Sequence, residues 1–427
     1  MAGLAHYCFS MLPRRYSGYV ARYGAGNHCK ALTKPSNIAR HIERVAKEYA
    51  HEERKRERAL CADLVDQLSL SIGEYTAMEV RAVAHGIPLI FGKDVKETWV
   101  QAITSFTLKR GNIMPAYFLY PLVNSICKMG YPRFNVPVEE LVTICIGRIN
   151  EANSIDLATF AQTAILLKRH PRVNEIMMVI AKKTLEPEVI ADISATNAVL
   201  ILYAFAQLGI HDLKVSDQLL SVITKLDHQD FQTHLIPLAL HSLARFNLKG
   251  HDALKAVSDH AVKVAHKMQP ENISSTLHAL ARLKYKHSVL LRELANRTKQ
   301  ILSTIAVREL SNIFWAFGKL KYKDEELMDS IIERVLDYEH IDNMSFAQVF
   351  EAMRCYDMVG KGDAINELLT RYMKIMQSCS TQIVTQVAWC CCSLGHLDQE
   401  IIPKSLEELC QRDRDAKEQK YVEMLLE

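Results

Sequence analysis

Strand signals are nearly absent from this 427-residue chain, since no β-branched alternation bounded by Asn-Gly or Asp-Gly turns occurs, which argues against a sheet-based fold. Long apolar runs are missing too. A membrane-spanning helix needs roughly 18 to 20 apolar residues, and the most apolar stretch, Ala198 to Ala206, falls far short, so no membrane span is expected. Glycine (16), proline (12) and aromatics (7%) are scarce while 49% of residues are hydrophobic. That composition belongs to an ordered, core-forming chain rather than a disordered or collagenous one. There is no excess of either charge: 52 Lys and Arg face 49 Asp and Glu, a net of +3. A generic nucleic-acid coat is therefore excluded, and any polyanion site must come from local clustering.

The eleven cysteines are odd in number and none is spaced Cys-x-x-Cys; Cys390, Cys391 and Cys392 are consecutive and point in different directions around a helix. Neither a disulfide framework nor a zinc site fits, and a reducing compartment does. No phosphate loop is present: Gly24-Ala-Gly26 lies in a basic N-terminal segment, and Gly360-Lys361-Gly362 lacks both the spacing and the Ser or Thr. His51-Glu52 has no second His at the metalloprotease position, and the 17 histidines are scattered. With no nucleophile and base placed together, we expect no catalysis, no metal, no cofactor and no small-molecule substrate.

What is present begins with an acid-free segment. Residues 1–42 contain no Asp or Glu but carry Arg14, Arg15, Arg22, Lys30, Lys34 and Arg40 among Tyr, Gly and Ser. This is the composition of a mitochondrial import presequence, which places the protein in the mitochondrial matrix. Its removal leaves 46 basic against 49 acidic residues. Glu43 to Leu60 then mixes both signs densely and reads as a solvated entry helix.

From Asn124 onward a repeat of about 38 residues runs through the chain. A small residue recurs in apolar helical context at Ser125, Ala164, Ala204, Ser242, Ala279, Ala316, Ala352 and Cys390, at intervals of 39, 40, 38, 37, 37, 36 and 38. An apolar residue follows it directly, and another recurs four positions on, so one helical face carries a packing ridge. The small residue admits a neighbouring helix. Each copy reads as two helices, the first ending at Gly130, Gly209, Gly395 or polar turns such as Lys284 to Lys286 and Lys321 to Asp324. Second helices are expected at Ser216 to Thr224, Ser288 to Leu302 and Glu325 to Leu336. Pro121 and Pro237 fall inside first helices and should kink or shorten them. Stacked two-helix units form an all-α fold, an α-solenoid. Its expected organisation is a leader at 1–42, an entry helix and degenerate repeats at 43–110, the solenoid at 111–409 and a charged helical cap at 410–427.

The copy from Glu309 to Ile331 (ELSNIFWAFGKLKYKDEELMDSI) resembles the octotricopeptide repeat of organelle RNA-binding proteins and, to a similar degree, the heptatricopeptide repeat of apicomplexan and related mitochondrial proteins. The copy from Ser274 to Tyr285 (SSTLHALARLKY) ends in the same way. The resemblance covers about Asn124 to Leu409 and is most specific in these central copies. Such proteins often end in a compact domain shared with the Fas-activated serine/threonine kinase family; here only a charged segment follows the last repeat, so that domain is expected to be missing. The resemblance implies a non-catalytic role in organelle RNA maturation, stability or translation, or as a component of a mitochondrial ribosome bound to ribosomal RNA. The alternative is a protein-binding scaffold subunit of a mitochondrial complex.

The residue before each small anchor supplies the candidate site. It is Tyr203, His241, His278 and Trp315 in the middle copies, with Gln207, Arg245, Arg282 and Lys319 four positions later. Residues four apart share a helix face. Ser274 and Ser311 lie one turn earlier, and Lys284 and Lys321 add cations in the turns. A ladder of rings beside cations suits unstacked bases and phosphates. The expected partners are RNA, single-stranded or ribosomal, together with other proteins of a ribonucleoprotein.

Overall fold

A lone helix pair leaves its apolar face exposed, so a chain built of such pairs must stack them. The computed structural model describes residues 35–49, 51–225, 231–358, 361–395 and 401–411. Among the described residues there are 21 α-helices and no strand, an all-α helical-repeat solenoid. The expected leader up to residue 34 and the cap from 412 lie outside the described residues.

The chain divides into two units, within residues 4–225 and 226–427. In the N-terminal unit the first helices of successive pairs are α1 (Pro35–Glu48), α3 (Ala77–Phe91), α5 (Ala116–Gly130), α7 (Ser154–Leu166) and α10 (Ala195–Leu208). Each packs on the next in one row. The second helices are α2 (His51–Leu70), α4 (Glu97–Arg110), α6 (Val138–Gly147), α8 (Val173–Thr184) and α11 (Leu213–Thr224), with a short α9 (Pro187–Asp192) between pairs. In the C-terminal unit the row is α12 (Leu235–Arg245), α14 (Pro270–Leu283), α16 (Val307–Leu320), α18 (Asn343–Cys355) and α20 (Thr381–Ser393). Its second helices are α13 (Asp252–Val264), α15 (Ser288–Ile301), α17 (Glu325–Leu336), α19 (Gly362–Met373) and α21 (Ile401–Gln411).

All eight small anchors are buried, none more than 5% exposed. Two further anchors precede them, Gly86 on α3 and Ala46 on α1, in step with the same period. A Cβ on Gly86 would lie 2.7 Å from Ile42 Cγ2 and 3.4 Å from the Ala46 Cβ; Ile42 is β-branched and cannot swing aside within a helix. In the C-terminal unit a Cβ on Gly318 would sit 3.4 Å from the Ala352 Cα. The densely charged run from Glu43 is shared between the end of α1 and the start of α2, and Lys47 pairs with Glu43 one turn away. Helix α1 also draws Ile38, Ala39 and Ile42 from the acid-free segment into the core.

First helices stop by a common device. Five residues after the anchor the backbone turns left-handed, at Gly209, Asn247, Lys284, Lys321, Asp357 and Gly395. The next N–H then bonds back over the turn, as in Tyr285 to the Leu280 carbonyl and Tyr322 to the Phe317 carbonyl, both 3.0 Å. Asn and Asp tolerate this conformation, whereas a lysine pays roughly 1 to 2 kcal/mol for it. Gly130 differs from expectation: it lies inside α5, and the extended Tyr131 caps the helix. The glycine is required there for space, because a Cβ would come within 2.8 Å of both Val100 and Val136 side chains. Pro237 is the third residue of α12, where an N–H is dispensable, and that helix has only 11 residues; Pro121 lies further into α5, and Pro88 inside α3.

A second recurring contact ties the pairs together. Near the end of second helices an arginine reaches the carbonyls of the linker that follows the preceding second helix. Arg110 bonds to the Tyr75 and Gly73 carbonyls (3.2 and 2.9 Å) and Arg148 to that of Gly111 (2.7 Å). In the C-terminal unit Arg297 reaches Met268 (3.2 Å), Arg334 reaches Ser303 (3.1 Å), and Arg371 reaches Leu336 and Tyr338 (2.8 and 2.9 Å). Linker carbonyls, which no helix satisfies, thereby gain charged donors. Arg371→Ala should lower unfolding stability by about 1 to 3 kcal/mol without touching the first-helix row; urea titration followed by circular dichroism measures it, and an unchanged midpoint would contradict the assigned role.

Candidate nucleic-acid interface

In the C-terminal unit the position before the anchor carries His241, His278, Trp315, Glu351 and Trp389, one from each helix of the row and all half-buried. Consecutive helices of the row pack together, so these side chains form a line. His278 stacks on Trp315 with ring centroids 5.2 Å apart and planes 30° from parallel.

The line has two chemically distinct halves. In the first, Arg245 and Arg282 are exposed one turn beyond His241 and His278. Burial, then Arg282, Arg245 and His278, push the His241 imidazole down to about 4. Every charge acting on it has one sign, and the strongest comes from the neighbouring helix. His278 is also lowered, by burial first and then by Arg282. Two half-buried rings held neutral beside two exposed guanidiniums form a positive recess suited to an anion.

In the second half a carboxylate consumes the donors. Glu351 accepts the Trp315 indole N–H at 3.0 Å and the Gln386 amide at 2.6 Å, and pairs with Lys319. Arg354 stands 3.9 Å from the same carboxylate and 4.2 Å from the Trp389 ring centroid. Lys319 also lies 5.9 Å from the Trp315 ring centroid. This half is a closed polar network, and Lys319 and Trp315 belong to it.

The other sequence candidates are dispersed. Ser274 (4% exposed) and Ser311 (fully buried) do not extend the face; the Ser311 hydroxyl donates to the Val307 carbonyl one turn back, at 2.7 Å. This inward bond is the usual fate of a serine inside a helix. Tyr203 and Gln207 lie on α10 in the other unit, and Tyr203, at 6% exposure, takes its place in the core. Lys284 and Lys321 are exposed in their left-handed turns. Sequence reasoning passed over Glu351, Arg354 and Gln386, although an acid at the ring position was a readable sign that the ladder is interrupted there. In the N-terminal unit the same position holds Asn124 and Thr163, both buried and bonded to each other at 3.0 Å.

Two outcomes follow. Glu351→Ala strands the donors of Trp315, Gln386 and Lys319, and should cost about 2 to 3 kcal/mol in urea unfolding; a loss below 0.5 kcal/mol would show the network to be incidental. His241 titrates below the 6.5 of a free imidazole, so between pH 6.5 and about 4 the unfolded chain binds the extra proton. Stability should therefore decline as pH falls through that window, and His241→Gln should flatten the decline in the urea midpoint measured between pH 7 and 5.

A family model described as RNA-editing substrate-binding complex 6 protein matches residues 63–325 and, in a second placement, 157–412. Overlapping placements of one model are natural in an internally repeated chain. No curated protein matches the chain.

Proposed function

The chain belongs to the RNA-editing substrate-binding complex 6 protein family, and from that premise we propose that it is a non-catalytic RNA-binding subunit of a complex that holds RNA-editing substrates. The observation that carries this reading is the recess formed by His241, Arg245, His278 and Arg282. Its exposed guanidiniums suit backbone phosphates, and the imidazole stacked on Trp315 offers a surface beside them for an unpaired base. The likeness of the central copies to octotricopeptide and heptatricopeptide repeats supports the same class of ligand. Near-neutral overall charge agrees with an RNA contact confined to one face.

The proposed location is the mitochondrial matrix, supported by the acid-free N-terminal segment and by the family. Because α1 buries Ile38, Ala39 and Ile42 against α3, a cleaved leader would end before Pro35 rather than at Ile42. Protein partners within the assembly are supported by a separate feature: the second residues of α3, α5 and α7, namely Met78, Tyr117 and Ile155, are 61%, 53% and 46% exposed. Large apolar side chains repeated along a row suit another subunit's surface.

The deciding experiment is crosslinking with RNA sequencing on the protein recovered from purified mitochondria, run beside the double variant Arg245→Glu and Arg282→Glu. Recovery of transcripts undergoing editing, lost in the double variant, is expected. Ribosomal RNA would redirect the assignment to a ribosomal component, and absence of RNA would leave a protein scaffold. In vitro the double variant should weaken single-stranded RNA binding by about 10- to 100-fold and reduce the salt slope by about 2, with a smaller effect for Lys319→Glu, whose wild-type charge is already paired.

A further inference from the structure

The pairing of His241 with a cation from the next helix has a counterpart in the N-terminal unit. His85 stands directly before the Gly86 anchor, as His241 stands before Ser242, and Lys128 stands three residues after Ser125, as Arg282 stands three after Ala279. Helices α3 and α5 are neighbours in their row, as α12 and α14 are in theirs. We propose that His85, Lys128, Lys47 and Arg81 form a second phosphate-binding position, specific for the sugar-phosphate backbone of RNA and blind to base identity.

The electrostatics agree with the placement. Burial first, then Lys128, Lys47 and Arg81, push His85 down to about 4, with Glu43 alone pulling the other way. Three cations thus act on this imidazole against one carboxylate, and that carboxylate is paired with Lys47. Arg81 lies within the fields of Glu43 and Asp156, and Asp156 is buried, its side chain engaged by the Asn153 N–H at the start of α7. Arg81 is therefore the positioning cation and Lys128 the principal phosphate ligand, with His85 able to donate one ring N–H. What differs from the C-terminal recess is the next ring position: in place of His278 stacked on Trp315, the row continues with Asn124 bonded to Thr163. Nothing flat is presented for a base to stack on, so the position should hold phosphate without reading sequence.

This inference rests on the RNA reading, and its test separates the two. Anisotropy of labelled oligouridine and of a mixed-sequence 20-mer is measured across a potassium chloride series for the full chain, for Lys128→Glu, for Lys128→Gln and for Arg245→Glu with Arg282→Glu. Lys128→Glu should weaken both RNAs equally, by about 3- to 10-fold, and lower the salt slope by about 1; Lys128→Gln should show a smaller uniform loss and stands in if the charge reversal impairs folding. Wild-type affinity and slope in both Lys128 variants, with the C-terminal double variant impaired, overturn this position alone. A loss confined to one RNA sequence overturns its backbone character. Failure of the unaltered chain to bind either RNA overturns the RNA reading itself.

Discussion

Close approach of successive first helices is the constraint on which everything else in this protein depends. A residue no larger than alanine, serine or cysteine must stand at one position of every first helix, and at Gly86 even a methyl group would meet Ile42 at 2.7 Å. That approach sets which side chains of neighbouring helices can touch. It brings His278 onto Trp315, Trp315 onto Glu351 and Asn124 onto Thr163, all pairs roughly one repeat apart in sequence. A bulkier anchor would separate these partners and dissolve the face along with the core.

The near balance of charge conceals a division of labour. Many of the cations do structural work: Arg110, Arg148, Arg297, Arg334 and Arg371 satisfy linker carbonyls, and Lys319 satisfies Glu351. An arginine bound to backbone oxygen has little left for phosphate. Net charge is therefore a poor guide to this protein's partners, because what counts is which positive groups have no carboxylate acting on them, and around His241 the acting charges are all positive.

The repeat, the helix pairs and the ends of first helices were legible in the sequence because they follow from periodic small residues and from turn chemistry. Gly86 was passed over for a physical reason: a glycine with Pro88 two residues on reads as a turn, whereas in α3 the glycine serves close packing. Gly130 was misread in the opposite sense, as a cap. The arginine contacts to linker carbonyls were illegible, since nothing local distinguishes an arginine that will meet a backbone oxygen from one that will stay in water. At the site, helical spacing correctly joined His241 to Arg245 and His278 to Arg282 along each helix. It could not reveal that the strongest charge on His241 comes from Arg282 on the neighbouring helix, nor that Ser311 turns inward to the Val307 carbonyl.

The lysines at left-handed turns bear on how such a surface is kept. Six first helices end at this conformation, and the chain uses glycine at two of them, Gly209 and Gly395. Asn247 and Asp357 are the residues that best tolerate it after glycine. Lys284 and Lys321 have no such excuse, and they follow the two helices that carry the stacked His278 and Trp315. Stability alone would favour glycine at both positions, by roughly 1 kcal/mol each. A cost borne twice, beside the one pair of stacked rings on that face and with both ammonium groups exposed, is what a surface retained for its charge would show. The same reasoning sets the boundary of the binding face: it begins at the positive recess of α12 and α14, follows the lysine turns past α16, and stops where Glu351 takes up the cations of the next helix.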